Sequence, residues 1–350
     1  MALYDIINWH ETGSETEIWD VRSPAEFALD HVTGAKNIPV LSDEERDEVG
    51  RLYKTNPFRA RKLGAAIIAT NVANLLRHDL ADQDGTLHPL IYCWRGGLRS
   101  QSIATILAHV GWRVHVLQGG YKSYRDCVRK ALDSLPDALT FRVIAGPTGS
   151  AKTSILHELA AQGEQTLDLE GMAHHRGSLL GEIPGVPQPS QKRFESTIYN
   201  CLRGLDPTRP VWLEAESHRI GALHIPDEIF RRMRLAPSIE IQASLRERVR
   251  HLVLHYQEWC SSPELLSERL QFLTRLRGNA QVERWQTLIR ASSWEELTSE
   301  LLEFHYDPTY SHAMDRFQGV RHRVDVTTLE DIPEICRTIR QTNQEVFHDI

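Results

Sequence analysis

The chain is poor in cysteine, and the few it has are not arranged to hold a structure together. Five cysteines in 350 residues stand at positions 93, 127, 201, 260 and 336, an odd number with no Cys-x2-Cys spacing. That pattern argues against a disulfide framework and against a zinc ribbon. Long apolar runs are missing too: nothing approaches the ~20 residues that a membrane-crossing helix requires. The opening stretch, Met1 to Asn8, has neither the basic start nor the apolar core of a signal peptide, so a cytoplasmic location without a membrane partner is expected. There is no internal repeat and no low-complexity tract. Positive charge is not in excess, because 40 Lys and Arg face 47 Asp and Glu for a net charge of −7. The protein as a whole therefore lacks the electrostatic signature of a nucleic-acid binder. One local exception runs from Arg219 to Arg290, with 12 arginines against 8 acidic residues. Solvated helix faces account for it on charge alone, yet it permits an RNA partner, with Arg246, Arg248 and Arg250 as candidate phosphate contacts.

What is present is an ordinary globular composition, 41% hydrophobic and 25% charged, in a chain too long for one core. A strand over Glu17–Val21 precedes a helix that begins Ser23-Pro24-Ala25-Glu26, with Ser23 as N-cap, Pro24 at the first helical position and Glu26 completing a capping box. Further strands are predicted over Pro89–Cys93 and Arg113–Leu117, with a helix from Ser100 to Val110 between them. Residues 42 to 62 read as a charged helical insertion of no evident role. Leu135-Pro136-Asp137 divides the chain into domains 1–136 and 137–350. The second domain repeats the alternation, with strands over Thr140–Ala145, Gln165–Leu169, Val211–Glu214 and Ile239–Ile241. Helices fill most of Leu245–Leu302, and a last one spans Ile332–Phe347. Strands alternating with helices predict an α/β protein with parallel sheets covered on both faces. The glycine- and proline-rich stretch from Gly177 to Lys192 has the length of a functional loop.

Two loops carry chemistry. Cys93 ends an apolar strand, and Trp94, Arg95, Gly96, Gly97 and Leu98 lead through Arg99 to a helix at Ser100. Backbone N–H groups of such a loop, at the positive end of a helix, form an anion cradle in which a thiol ionises readily and acts as nucleophile. Arg99 adds a planar fork suited to a tetrahedral oxyanion. The runs Asp20-Val21-Arg22, Glu26-Phe27, His31-Val32, Gly34-Ala35 and Asn37-Ile38-Pro39, together with Leu117-Gln118-Gly119-Gly120-Tyr121, resemble the opening and closing signatures of rhodanese domains. The resemblance spans roughly residues 5 to 130 and implies a sulfur-carrying cysteine, with Asp20, Arg22 and His31 in structural roles. The Cys93-x5-Arg99 spacing is one residue longer than the common sulfurtransferase loop and matches related phosphatases. Tyr92 stands where those phosphatases usually have histidine, and no acidic residue lies within the loop.

The second loop is Gly146-Pro147-Thr148-Gly149-Ser150-Ala151-Lys152-Thr153, between a strand and a helix as a Walker A loop requires. Gly146, Gly149 and Ser150 would cradle phosphates, Lys152 would reach their oxygens and Thr153 could ligate Mg2+. Ala151 replaces the usual glycine, and because alanine tolerates positive φ poorly, the loop is expected to hold that position in a conformation alanine can adopt. Acidic strand ends at Asp168 and Glu170, and at Glu214 and Glu216, could support Mg2+ or supply a base, with Glu214 the first candidate and Asp168 the second.

Several runs are similar to bacterial tRNA 2-selenouridine synthases: Leu167-Asp168-Leu169-Glu170-Gly171, His175-Arg176-Gly177-Ser178, Gln188-Pro189-Ser190-Gln191, Glu214-Ala215-Glu216-Ser217 and Tyr306-Asp307-Pro308. The similarity spans nearly the whole chain and includes the longer cysteine loop. It implies a rhodanese-like domain followed by a P-loop NTPase-like α/β domain with a helical C-terminal part. It also implies a transferase acting on wobble 2-thiouridine of tRNA, in which geranyl diphosphate alkylates the sulfur and selenium from selenophosphate then replaces the S-geranyl group. Cys93 would be the selenium-carrying nucleophile, and the phosphate loop would hold the prenyl diphosphate, with ATP or GTP use left open. No stable protein partner is implied. Two other classes stay open: a sulfurtransferase or phosphatase fused to an ATP-dependent kinase-like domain, and a non-catalytic RNA- or nucleotide-binding module.

Overall fold

The structure is a computed structural model that describes residues 3–13, 17–178, 180–315 and 317–347. The chain forms two compact units. The first is Met1–Ala131 with Ser190–Asn200, and the second is Leu132–Pro189 with Cys201–Ile350.

The first unit is built on strands β1 (Asp5–Ile7), β2 (Glu17–Asp20), β3 (Lys36–Asn37), β4 (Pro89–Tyr92) and β5 (His115–Leu117). They form one parallel sheet in the order β1-β5-β4-β2-β3. β4 is central and wholly buried, which is why it reads as an uninterrupted apolar run. Helix α1 (Pro24–Leu29) starts at the capping box expected of Ser23 and Glu26. The charged insertion is indeed helical: α2 (Asp43–Thr55) and α3 (Pro57–Arg77) form a hairpin hinged at Asn56. Gly64 lies against Val49 at that crossing, where an added Cβ would sit 3.3 Å from Val49 Cγ1. Helices α4 (Leu98–Val110) and α5 (Gly120–Ser134) complete the chain order of this unit. Trp19, Ile91, Ile103, Leu107 and Val116 lie at the centre of its core.

Residues 190–200 belong to the first unit although they follow the phosphate loop in sequence. They are most of helix α8 (Gln191–Arg203). Phe194 and Ile198 are fully buried, Tyr199 OH accepts from Trp9 Nε1 at 2.9 Å, and Ser196 Oγ donates to Asp30 at 3.0 Å.

The second unit holds a parallel sheet of β6 (Phe141–Ala145), β7 (Gln165–Thr166), β8 (Val211–Glu214), β11 (Ser238–Gln242) and β12 (Arg321–Asp325), ordered β12-β11-β6-β8-β7. The short strands β9 (Arg219–Ile220) and β10 (Leu223–His224) form a separate antiparallel hairpin. Helices α6 (Lys152–Ala161) and α7 (Leu169–Ala173) follow β6 and β7, and α9 (Asp227–Leu235) and α10 (Leu245–His255) flank β11. Helices beyond α10 enclose a second core around Trp259, Leu270 and Trp285. This is the helical C-terminal part expected from the sequence. Among the described residues, no helix is long and apolar enough to cross a membrane.

Candidate active site

In the first unit Cys93 follows β4 and is buried, with Sγ 3.3 Å from Ser100 Oγ and 3.9 Å from the Gly97 carbonyl. The loop turns at Gly96, whose φ of +64° favours glycine. Gly120 supplies the close approach from the other side: a Cβ there would lie 2.3 Å from the Cys93 carbonyl oxygen and 2.5 Å from the Gly96 nitrogen. Tyr121 N donates to the Cys93 carbonyl at 2.9 Å and Lys122 N to the Trp94 carbonyl at 3.0 Å. The Gly119-Gly120-Tyr121 run is thus the shelf on which the cysteine loop rests. Gly97 is the N-cap of α4, so the positive end of a 13-residue helix faces the loop.

A buried network fixes the base of this loop. Arg22 bonds both carboxylate oxygens of Asp20 and the Asp30 carbonyl, and its guanidinium lies 3.9 Å from the Tyr121 ring centroid. Tyr92 OH donates to Asp20 Oδ2 at 2.7 Å and accepts from Val32 N at 3.0 Å. The tyrosine before the cysteine thus ties the end of β4 to Asp20 and to the Val32 backbone. His31 stacks on Phe27 with centroids 3.7 Å apart, in a structural position. Arg99 pairs with Glu26, Nη1 to Oε2 at 2.7 Å, so the capping residue of α1 also orients the loop arginine. Trp94, Arg95 and Leu98 are exposed around the loop, and Gly96 and Gly97 are half-buried. Ser100, which the sequence reading used only as a helix start, is the polar neighbour of the sulfur.

In the second unit the loop Gly146–Ala151 joins β6 to α6. Lys152 Nζ donates to the Gly146 carbonyl at 3.0 Å, and Gly146 (φ +151°) must lack a Cβ because one would lie 2.4 Å from Ser150 Oγ. Ala151 takes a positive φ, +61°, inside the small left-handed region open to L-residues. The position is thus held in a conformation that alanine can adopt, though at a cost. Its methyl packs with Ile144, Ile155 and Ile241 in the core. Burying a methyl is worth about 0.8 kcal/mol, and glycine's extra backbone entropy disfavours it by about 0.5–1 kcal/mol. Together they offset a left-handed penalty of about 1–2 kcal/mol. Ala151→Gly is therefore expected to leave stability within about 1 kcal/mol of wild type. Ala151→Val, β-branched at positive φ in a packed site, is expected to lower it by about 2 kcal/mol or more. Urea unfolding of both variants checks this, and an innocuous valine would remove the strain argument.

Of the acidic candidates, Glu214 lies beside the loop and Asp168 is used otherwise. Asp168 caps α7 through Gly171 N at 2.7 Å and contacts His157 Nε2 at 2.9 Å. Glu170 and Glu216 join Glu214 instead, with carboxylate oxygens of the three within 4.8 Å of one another. Thr153 Oγ1 is 3.5 Å from Glu170 Oε2. Gly177, at φ +68°, covers the cluster so closely that a Cβ would meet Glu170 Oε1 at 2.5 Å and Glu216 Oε2 at 2.8 Å. Burial raises all three carboxyls above their ordinary value and mutual repulsion raises Glu170 and Glu214 further; Glu214 reaches about 7 although Lys152 opposes the shift. Glu214 Oε1 is buried with no hydrogen-bond partner among the described residues. Three oxygen donors and an unpartnered buried carboxylate oxygen suit a hard divalent cation.

The phosphate loop opens into a cavity of about 500 Å3. A second, apolar pocket of only about 70 Å3 adjoins it, with walls that include Leu180, Trp259, Leu266 and Trp294. Thr148, Ser178, Leu252, Tyr256 and Tyr306 line both spaces. The Tyr306-Asp307-Pro308 run has a clear place here, because Asp307 grips Arg248 through two 2.8 Å bonds and Arg248 Nη1 also reaches the Thr148 carbonyl at 3.2 Å. Arg248 is therefore a buried clamp on the loop, which corrects its expected role as an RNA contact. Arg250 pairs with Glu330, Arg231 with Glu228, Arg269 with Glu182 and Arg284 with Glu296 and Glu300. Much of the arginine surplus in this region is spoken for by ion pairs.

Comparison with known proteins divides the chain near the same point, although residues 190–200 fall within the second match. Residues 3–127 match the rhodanese-like domain, and residues 139–263 match the AAA domain of tRNA 2-selenouridine synthase. The tRNA 2-selenouridine synthase of Alcanivorax borkumensis is 31% identical over 349 residues, covering 89% of this chain and 94% of that protein. That of Hahella chejuensis is 29% identical, covering 93% of each. The one from Nitrosomonas europaea is 36% identical over 252 residues, covering 69% of this chain and 64% of that protein. With a rhodanese-type cysteine loop, a phosphate loop and relatives aligned along almost its full length, the chain belongs to the tRNA 2-selenouridine synthase family.

Proposed function

We propose that the protein converts wobble 2-thiouridine of tRNA to 2-selenouridine through an S-geranyl intermediate, using geranyl diphosphate and selenophosphate. The observation that supports the first step is the small apolar pocket, about 70 Å3, that shares five lining residues with the phosphate-loop cavity. A prenyl diphosphate has that sequence of polarity: a polyanionic head for Lys152 and the loop N–H groups, and a hydrocarbon end directed to the apolar side at Trp259, Leu266 and Trp294. In this step the thiocarbonyl sulfur bonds to C1 of the geranyl group as the C–O bond breaks and diphosphate departs. Lys152 and the loop stabilise the departing charge. Equilibrium binding of geranyl diphosphate and ATP to the full chain tests the reading. Tight binding of ATP with none of geranyl diphosphate would return the loop to a nucleotide and revive the kinase-like alternative.

Glu170, Glu214 and Glu216, with Thr153, would hold Mg2+, which supplies charge neutralisation for the diphosphate when bound. The titration gives this a pH signature. A carboxyl whose folded-state pKa is raised contributes stability that is full below its ordinary value of 4.5 and is lost as pH climbs through about 7 for Glu214. A cation that binds the ionised cluster restores what is lost. Added Mg2+ is expected to raise the melting temperature at pH 8 and hardly at all at pH 5.5, with Glu214→Gln abolishing the difference. An equal Mg2+ effect at both pH values would contradict the assignment.

For the second step Cys93 is the nucleophile toward selenophosphate and the carrier of its selenium. With the phosphate end held by the loop and Arg99, the thiolate attacks selenium, and the P–Se bond breaks with its electron pair leaving on phosphorus as phosphite. A small-molecule thiol reductant then cleaves the Cys93 S–Se bond to free hydroselenide. Selenium then takes the place of the geranylthiolate at C2. A second reading is favoured by one contact, the 3.3 Å approach of Ser100 Oγ to Cys93 Sγ behind a Cys-x5-Arg loop. There the thiolate attacks phosphorus, the P–Se bond breaks and selenide leaves directly, with Ser100 stabilising the thiolate when water later releases phosphate. Mass spectrometry of Cys93 after mixing with selenophosphate separates the two, because only a selenium adduct carries that element's broad isotope pattern.

A further inference from the structure

The helical hairpin inserted into the first unit has no role in either loop's chemistry, yet it builds a wall beside one of them. A cavity of about 560 Å3 lies between α2, α3 and the start of α4. Arg51, Tyr53, Lys54 and Arg61 line it from the hairpin, and Leu98 and Arg99 line it from the cysteine loop. Charge along the hairpin is segregated. Its first turns are acidic, and most of those carboxylates are in use. Asp43 accepts from Ala25 N, Glu44 from Ser42 Oγ, Glu45 from Ser42 N and Asn71, and Asp47, on the cavity wall, pairs with Arg46, while Glu48 is exposed. From Arg51 to Lys62 the sequence carries Arg51, Lys54, Arg59, Arg61 and Lys62 and no acidic residue, in a protein whose net charge is −7. Among the described residues, the side chains of Arg51, Lys54 and Arg61 make no hydrogen bond or ion pair, and all three are exposed. Two aromatic rings stand out from the same tip, Tyr53 at 53% exposure and Phe58 at 74%.

We infer that this hairpin tip is an RNA-docking surface that brings a single-stranded nucleotide of the substrate to the Cys93 loop. Unpaired cations track phosphates, and an exposed ring offers a stacking platform for an unstacked base, the pairing by which RNA loops are held. The groove floor ends at Leu98 and Arg99, so a strand laid along it runs to the first turn of α4 and the cysteine loop. The inference rests on the proposed tRNA substrate and adds where the first unit grips it. In the second unit Arg248 and Arg250 are engaged in ion pairs, so of the three arginines expected to meet RNA there only Arg246 is exposed and unpaired among the described residues.

The test uses the full chain and a synthetic anticodon stem-loop RNA, with affinity measured from low to moderate salt. Replacing Arg51, Lys54 and Arg61 together with glutamine is expected to weaken binding about tenfold or more at low salt and to reduce the slope of log K against log salt by about 2–3. Tyr53→Ala is expected to weaken binding about tenfold through lost stacking while leaving the salt slope unchanged. Melting temperatures near that of wild type show that these surface changes leave the fold intact. Wild-type binding with an unaltered slope in the triple variant overturns the docking surface and leaves the tRNA reading standing. Failure of the wild-type protein to bind the RNA at any salt overturns the tRNA reading and this inference with it. Loss of polyglutamate binding in the triple variant with RNA binding intact assigns the face to an acidic protein partner and overturns the RNA assignment.

Discussion

A Cys93→Ala protein, given 2-thiouridine tRNA and geranyl diphosphate, is expected to make S-geranyl-2-thiouridine at close to the wild-type rate and to stop there. Selenium incorporation should fall by roughly 10^4-fold or more, the scale of loss when a covalent nucleophile is removed. The reason is positional. Cys93 sits in the first unit on a shelf formed by Gly120 and Tyr121, whereas Lys152, Thr153 and the carboxylates are all in the second. Alanine removes only the sulfur and its contacts with Ser100 and Gly97, at little structural risk, because the backbone bond fixing the loop runs through the Cys93 carbonyl. Nucleoside mass spectrometry of the product tRNA reads both steps at once. Loss of geranylation in a folded Cys93→Ala protein would show that the steps are not divided between the loops in this way.

Lys152→Ala is expected to give the opposite pattern, losing roughly 10^2–10^3-fold in geranylation, the usual effect of deleting one group that stabilises a departing anion. Pre-geranylated tRNA should still be converted to the selenium product by this variant. Lys152 is half-buried and donates to the Gly146 carbonyl, so its removal deletes one bond at the edge of the loop. The reaction should be run without ATP, since a prenyl diphosphate carries its own leaving group. Alkylation that proceeds normally in Lys152→Ala would remove the phosphate loop from the first step, and an absolute need for ATP would restore a nucleotide to it.

Both loops were legible in the sequence because each is a local device. A buried strand, a glycine turn and a helix start occupy consecutive residues, so Cys93–Ser100 and Gly146–Thr153 announce themselves without knowledge of the fold. The central strands were legible for a related reason, since burial on both faces leaves a plain apolar run. Edge strands gave no such signal: β12, Arg-His-Arg-Val-Asp, buries only Val324 and reads as a charged loop. The carboxylate cluster was half legible. Acidic strand ends drew attention to Asp168, Glu170, Glu214 and Glu216, but only the fold decides that Asp168 turns to cap a helix while Glu170 turns inward. The clamp of Arg248 on Asp307 joins residues far apart in sequence, and charge counting mistook it for a surface arginine. The apolar pocket is scattered in the same way, its walls coming from Leu180, Trp259 and Trp294 with no common motif.

The return of α8 to the first unit bears on how the protein is made. A chain emerging from the ribosome folds in order where it can, with N-terminal domains finishing first. Here the first unit cannot finish in that order, because Phe194, Ile198 and the partner of Trp9 arrive only after Leu132–Pro189 of the second unit has been synthesised. Until then Asp30 lacks the hydroxyl of Ser196, and Arg125 lacks both that hydroxyl and the carboxylate of Glu195. The cysteine unit is thus closed by residues that follow the phosphate loop, and a gene cut between the two would release a first unit with one wall open. The two halves are joined in biosynthesis as well as in sequence, with the phosphate loop translated before the cysteine unit is sealed.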